Sequence, residues 1–301
     1  MSEALTFEPH RGRLTGLAYR MLGSRADAED VVQDAFLRWS HAPRDDVANP
    51  EAYLTRITTR LCIDRLKSAQ ARREVYVGPW LPEPVLDADA LSPHSHAELA
   101  DDLSFALLLA LDRLTPAERA AFLLHDVFDA PFSEVAETLE KSEAACRQLA
   151  ARARKAVRGA HGEPRPPQGE HERLLAAFAQ AASSGDLSDL KALLAEHVVT
   201  LSDGGGRKSA ALNPIFGADK TARFILGIRR KIAESEVTVS VACINGAPGL
   251  LVYLDGALDQ AQTIAVENGR IAALYIVRNP DKLAALTAGL SLQPDKVERP
   301  S

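Results

Sequence analysis

Two stretches of this chain can continue neither a helix nor a central strand. Gly78 to Pro93 carries Pro79, Pro82, Pro84 and Pro93, and Gly159 to Gly169 carries Pro164, Pro166 and Pro167. They cut 301 residues into three segments, each of a size that builds its own core. In the first two, apolar residues recur at steps of three and four behind good helix-start signals, the signature of amphipathic helices. The third changes character after Asp203: Val237, Val239 and Val241 alternate as in a strand, and Asn268-Gly269 sits between Ala265-Val266 and Ile271 as a hairpin turn. The expected architecture is two all-α domains followed by an α+β domain.

Charge narrows the function. With 35 basic against 41 acidic side chains the formal net charge is −6, which argues against a freestanding nucleic-acid binder. No apolar run approaches a membrane span, and Met1 to Arg13 lacks the layout of a signal peptide, so no membrane association and a cytoplasmic location are expected. Cys62, Cys146 and Cys243 form no CxxC and read as small buried hydrophobes. His94 and His96 have no further ligands nearby and read as a solvated loop. Neither a metal nor a cofactor is called for.

Local charge differs from the total. Thr115-Pro116-Ala117-Glu118 has the composition of a capping box ahead of an apolar helix to about Phe128. Asp129-Ala130-Pro131 breaks it, Ser133 can cap a short helix through Leu139, and Ser142 a longer one to about Arg158. This is helix-turn-helix spacing. On the last helix Ala145, Leu149, Ala153 and Val157 form an inward stripe, leaving Arg147, Gln148, Ala151, Arg152 and Lys155 outside. From Lys141 to Arg158 six cations face Glu143 alone, a local charge of +5 that suits a phosphate-rich partner and would equally suit a solvated face.

In the first segment Ser24 opens a helix, Asp27-Ala-Glu-Asp-Val-Val-Gln-Asp-Ala-Phe-Leu-Arg-Trp39, that is acidic on one side and apolar on another. Such a helix repels DNA. It fits a basic protein surface or an ordinary core helix with first-turn acids. Asn49-Pro50-Glu51 starts the next helix, on which Leu54, Ile57 and Leu61 form a core stripe while Tyr53, Arg56, Arg60 and Lys67 place one aromatic among cations. That mixture suits single-stranded DNA.

The acidic helix, the Asn49 to Arg73 helix and the basic helix-turn-helix, in that order, resemble an extracytoplasmic-function sigma factor over nearly the whole chain. The resemblance implies a transcription-initiation subunit whose partners are core RNA polymerase and promoter DNA. Asp27, Glu29, Asp30, Gln33 and Phe36 would grip the clamp helices of the polymerase large subunit. The loop Ser40 to Pro50, with Tyr53, Arg56, Arg60, Asp64 and Lys67, would open the −10 element and hold an extruded base. Arg147, Gln148, Ala151 and Arg152 would read the −35 element in the major groove, with Arg154 and Lys155 nearer phosphates. The run Glu143-Ala-Ala-Cys-Arg-Gln-Leu149 differs from the Val-Gly-Thr-Val-Lys-Ser-Arg type that many members carry, which leaves the promoter sequence open.

Trp80-Leu81-Pro82-Glu83-Pro84, Asp203-Gly204-Gly205-Gly206-Arg207 and Asn279-Pro280-Asp281-Lys282-Leu283 jointly resemble sigma factors fused to a SnoaL-like domain. This implies a cone of the nuclear-transport-factor-2 type, helices on a curved mixed sheet, that acts on the sigma domains in cis through these three motifs. The division is then residues 1–75 (sigma region 2), 76–100 (linker), 101–160 (region 4), 161–171 (linker), 172–290 (SnoaL-like domain) and 291–301 (tail). Two alternatives stand beside it. The cone can enclose an apolar pocket that senses a small molecule, or one that uses Asp203, Asp255 or Asp259 in catalysis. No dyad or triad is evident in their spacing, so no enzymatic activity and no catalytic residue are expected. Alternatively the chain is a polymerase-independent DNA-binding regulator, against which the acidic Asp27 to Asp34 helix and the low net charge argue.

Overall fold

The capping residues marked in the sequence open helices in the computed structural model, which describes residues 6–42, 47, 49–73, 76–86, 91, 102–161 and 169–292. Most of the loop Ser40 to Pro50, together with His94 and His96, lies outside the described residues. Ser24 Oγ accepts from Asp27 N at 3.2 Å at the head of α2 (Arg25–Ser40), which follows α1 (Arg11–Leu22). Asn49 Oδ1 accepts from Ala52 N at 3.2 Å at the head of α3 (Pro50–Arg73). These three helices pack on one another around Leu17, Met21, Val31, Val32, Trp39 and Leu54. The buried face of α3 differs from the expected stripe. Ile57 and Leu61 are half-buried, whereas Thr55, Thr58, Thr59 and Cys62 lie inside. Thr59 meets its own hydrogen-bonding need by donating to Thr55 O at 2.8 Å, so these small side chains let neighbouring helices approach closely.

The same unit continues through α4 (Phe105–Asp112), α5 (Pro116–Phe122), α6 (Phe132–Leu139) and α7 (Glu143–His161). Thr115 and Glu118 form the reciprocal capping box. The apolar run beyond it is not one regular helix, because Leu123–Val127 widens into a π-turn closed by Phe128 N to Leu123 O at 3.0 Å. Pro131, not Ser133, sits at the start of α6, its carbonyl accepting from Glu134 N and Val135 N. Glu140 in the left-handed region (φ 54°) turns the chain into α7, where Ser142 Oγ accepts from Ala145 N at 3.2 Å. The inward stripe of α7 includes Cys146 and Ala150 besides Leu149, Ala153 and Val157, while Ala145 is only half-buried.

The second unit is α8 (Glu170–Ser184), α9 (Leu187–Leu193), β1 (Leu194–Asp203), β2 (Ile215–Phe216), α10 (Ala218–Lys231), β3 (Val237–Ile244), β4 (Ala247–Leu254), β5 (Ala257–Glu267), β6 (Arg270–Val277) and α11 (Pro280–Leu292), joined by residues Tyr76–Leu86. Strand order is β2-β1-β6-β5-β4-β3, with β1 parallel to β6 and every other pair antiparallel, the mixed sheet expected of an α+β fold. Asn245-Gly246, Asp255-Gly256 and Asn268-Gly269 make the three hairpins, both residues of each at positive φ as their tight twist requires. Helices cover one face through Leu174, Phe178, Leu190, Ile225, Leu250, Val252 and Ile264. On β3 the alternation resolves unexpectedly. Val237 and Val241 are exposed while Ser240, Ala242 and Ile244 are buried on the opposite face. Cys62 and Cys146 are buried as expected, but Cys243, on the valine face of the edge strand, is exposed. Among the described residues no helix is long and apolar enough to cross a membrane.

A buried cation ties the first unit together. Arg119 on α5 donates to Met21 O at 2.5 Å and to Asp112 Oδ1 at 3.0 Å, and is 3% exposed. Arg119→Ala therefore strands a carbonyl and a carboxylate, and should cost about 2–3 kcal/mol. Urea unfolding followed by the fluorescence of buried Trp39, in a Trp80→Phe background, checks this.

Candidate functional site

Three surfaces carry the sequence-predicted residues. On α2, Glu29, Asp30 and Gln33 are exposed, Asp27 and Phe36 are half-buried, and Leu37 beside them is 49% exposed. Arg65 of α3 reaches across to Asp27 at 2.5 Å and Asp30 at 3.0 Å, which fixes the acidic edge of α2 against its neighbour. Phe36 meets Phe7 edge to face at 5.0 Å. The result is an acidic surface with an apolar centre.

On α3, Tyr53 lies 5.8 Å from Trp39, and the Arg56 guanidinium stands 5.3 Å from the Tyr53 ring. Arg56 also pairs with Glu137 of α6. Arg60 donates to Thr138 O at 3.0 Å and Glu137 O at 2.9 Å, and pairs with Glu140 at 3.0 Å. A cation at the last carbonyls of α6 is where the helix dipole favours one. Asp64 and Lys67 form an exposed pair at 3.5 Å. Two cations expected at the −10 element are thus held by the helix that precedes the recognition helix.

On α7, Arg147, Gln148, Ala151, Arg152 and Lys155 are exposed and share the outer side, with Arg154 half-buried. Their cations are not idle: Arg147 pairs with Glu143 at 2.5 Å, Arg152 with Glu118 at 2.9 Å and Arg154 with Asp126 at 2.5 Å. Arg147 also lies 5.2 Å from the Phe132 ring. Gln148 and Lys155 flank them as further exposed donors.

In the second unit the three glycine- and proline-rich motifs come together at one buried carboxylate. Asp203, 0% exposed at the end of β1, accepts from Tyr76 OH at 2.6 Å, Leu81 N at 2.9 Å, Gly205 N at 3.0 Å and Lys282 Nζ at 2.7 Å. Lys282 also donates to Leu81 O and lies 4.4 Å from the Trp80 ring. Asn279 Nδ2 donates to Tyr76 OH at 2.9 Å. Gly205 must be glycine twice over, since its φ is +60° and a Cβ there would meet Asn279 Nδ2 at 2.4 Å. A Cβ on Gly204 would meet Lys208 O at 2.2 Å. Gly206 follows at φ +70°, and Arg207 pairs with Asp281 across the turn. Leu81, Pro82, Glu83, Pro84 and Val85 are all buried, and Leu283 with Asn279 closes the base. Pro280 opens α11 beside them.

Two members of this clamp were not anticipated. Tyr76 carried no sequence signal. Asn245 did, because Asn245-Gly246 is the same hairpin dipeptide as Asn268-Gly269; its backbone N–H donates to Val85 O at 2.8 Å and its Oδ1 accepts from Val85 N at 3.0 Å. Burial, and then the hydrogen bond to Asp203, hold the Tyr76 phenol well above its ordinary pKa. Its share of the clamp is therefore present below the ordinary tyrosine value of about 10 and is lost as the pH climbs toward the raised folded-state value. The acids considered for catalysis have structural bonds. Besides Asp203, Asp259 is 5% exposed between Lys208 at 3.0 Å and Arg278 at 2.8 Å, and Asp255 Oδ1 accepts from Glu236 N at 2.9 Å.

Residues 6–72 match the family model for Sigma-70 region 2, and residues 104–157 that for Sigma-70 region 4. The chain is 41% identical over 293 residues, 93% of either sequence, to the ECF RNA polymerase sigma factor SigJ of Mycobacterium tuberculosis. The chain belongs to the extracytoplasmic-function sigma factors. It is also 33% identical over 287 residues, covering 93% of this chain and 94% of the other, to the probable sigma factor SigI of that organism. The crystal structure of M. tuberculosis SigJ superposes with a TM-score of 0.73, covering 92% of this chain and 97% of that one at 37% identity. As a sigma factor the protein has RNA polymerase and promoter DNA as its partners, and its role is in transcription initiation. The fold class follows the expectation: helical sigma domains, then a mixed-sheet domain like that of SigJ.

Removing the clamp carboxylate tests how the linker is held. Asp203→Ala leaves Lys282 buried without its partner, and should speed hydrogen exchange at the Leu81 amide on the order of 100-fold, as expected for loss of a buried pair. Exchange at Leu174 of the same unit should change far less.

Proposed function

We propose that the protein is an alternative sigma factor of the cytoplasm whose C-terminal unit regulates it in cis, by holding part of the chain that connects the two promoter-binding regions. The observation that carries this is the burial of Tyr76–Leu86 in the second unit around Asp203. These eleven residues stand between region 2 and region 4, and released they would add up to about 36 Å of reach. Sigma activity requires −10 and −35 contacts at once, so the length of free tether sets how readily both are made.

Within this reading, Asp27, Glu29, Asp30, Gln33 and Phe36 supply the contact with the clamp helices of the polymerase large subunit, acid edge and aromatic together. Tyr53, Arg56, Arg60, Asp64 and Lys67 engage the opened −10 strand. For that, Arg56 and Arg60 exchange Glu137, Glu140 and the α6 carbonyls for phosphates. Arg147, Gln148, Ala151 and Arg152 read the −35 element, with Arg154 and Lys155 on its backbone. Residues 1–75 and 101–160 are the two sigma domains and 172–290 the regulatory one. A small molecule in that domain is the signal such a device would read, a reading favoured by a cavity on its helix-covered face.

Run-off transcription with core polymerase on the promoter of the protein's own gene tests the proposal. Core plus protein should yield a correctly initiated transcript that core alone does not. Asp203→Ala, at matched concentration, should change its yield severalfold; an unchanged yield rejects cis control by the clamp. Replacing Glu137 and Glu140 together by Gln should tighten binding of a −10 single strand by about three- to tenfold at low salt, read by fluorescence anisotropy.

A further inference from the structure

The helix-covered face of the second unit holds a cavity of about 430 Å³, walled by Phe178 of α8, Ile225 of α10 and Val239, Leu250 and Val252 of the sheet. Gln260 and Gln262 reach it from β5, directly across from Val252 and Leu250. Gln260 is 5% exposed, yet its Oε1 accepts no hydrogen bond. A buried carbonyl without a donor costs about 1–3 kcal/mol, so it marks the place where a ligand's donor is worth most. The cavity also explains β3, whose Val237 and Val239 line it, Val237 with nearly half its surface open. Arg229 and Arg230 border the space but are exposed in the last turn of α10, where cations answer the helix dipole, so they do not specify an anion.

We infer that this cavity is a binding site for a neutral, largely apolar ring compound bearing one hydroxyl or N–H, which donates to Gln260 Oε1 while its body lies between Phe178, Ile225 and Val252. The volume is that of a small-molecule site, and apolar walls around one unmet acceptor are the usual composition of such a pocket. Specificity comes from the acceptor, because a site built to receive a donor rejects the analogue that lacks one. The inference rests on the cis-regulatory reading only for its consequence, not for the binding itself.

The test uses the full chain and three fluorescent probes of one ring size: 2-naphthol, 2-methoxynaphthalene, which lacks the donor, and 2-naphthoate, which carries a charge. 2-Naphthol should bind saturably at one site, about tenfold tighter than the methyl ether. Gln260→Leu should abolish that difference, and Ala182→Trp, which fills the cavity, should abolish binding of both. Thermal melts confirm that each variant folds; if Gln260→Leu does not, the probe comparison on the unaltered protein still decides. Equal affinity for 2-naphthol and its methyl ether, tighter binding of 2-naphthoate, indifference to Ala182→Trp, or no saturable binding overturns the proposal. Run-off transcription on the same samples separates the two ideas. Failed binding with clamp-dependent transcription removes only the ligand site, while probe binding without clamp-dependent transcription removes only the cis control.

Discussion

A carboxylate shut away from water organises the second unit. An isolated charge at the position of Asp203 would cost several kcal/mol, and it is tolerated because four donors from three parts of the chain converge on it. This requirement accounts for the motifs as sets. Glycines at 204–206 let the backbone fold back on the carboxylate, the strap supplies a phenol and an amide, and the first turn of α11 supplies the cation. Substituting any one leaves another buried polar group unmet, so the three motifs are physically a single site although up to 203 residues separate their members.

Local signals were legible in the sequence, and long-range ones were not. The capping box at Thr115, the helix-turn-helix and the Asn268-Gly269 hairpin each depend on residues a few positions apart, and each stands where expected. The buried face of α3 was misread because threonine hydroxyls bonded to the preceding turn behave as small core groups, a choice that only the neighbouring helices reveal. Cys243 was misread because its strand lies at the sheet edge, with one face left open beside the cavity. The motif residues could be singled out by composition, but their convergence on Asp203 could not, and Tyr76 had no pattern to announce it.

The acidic total and the basic recognition helix are compatible once pairings are considered. Arg147, Arg152 and Arg154 each have a carboxylate at 2.5–2.9 Å, as Arg56 and Arg60 have Glu137 and Glu140. Exposed pairs of this kind are worth little, so exchanging them for phosphates is nearly free, and counterion release then favours DNA. A freestanding binder would keep its cations bare. A subunit delivered to promoters by a larger enzyme gains from cations that are masked until the duplex arrives, because non-specific binding falls with them.

The two faces of the sheet in the second unit are linked by the alternation of β5. Gln260 points into the cavity while its neighbour Asp259 points away, where it holds Lys208 and Arg278. Arg278 precedes Asn279, whose amide bonds Tyr76 in the clamp, and its own N–H donates to Asp203 O at 2.7 Å. Contiguity of this kind is not yet coupling. A ligand that binds equally well whether the strap is held or released shifts nothing, however tightly it binds. Coupling therefore requires that the geometry of β5 at residues 259–260 differ between the two states. A body resting only on Phe178 and Ile225 gains the same burial in both, whereas a donor on Gln260 engages the residue adjoining the Asp259 link, so the hydrogen bond rather than the apolar burial is the term able to discriminate.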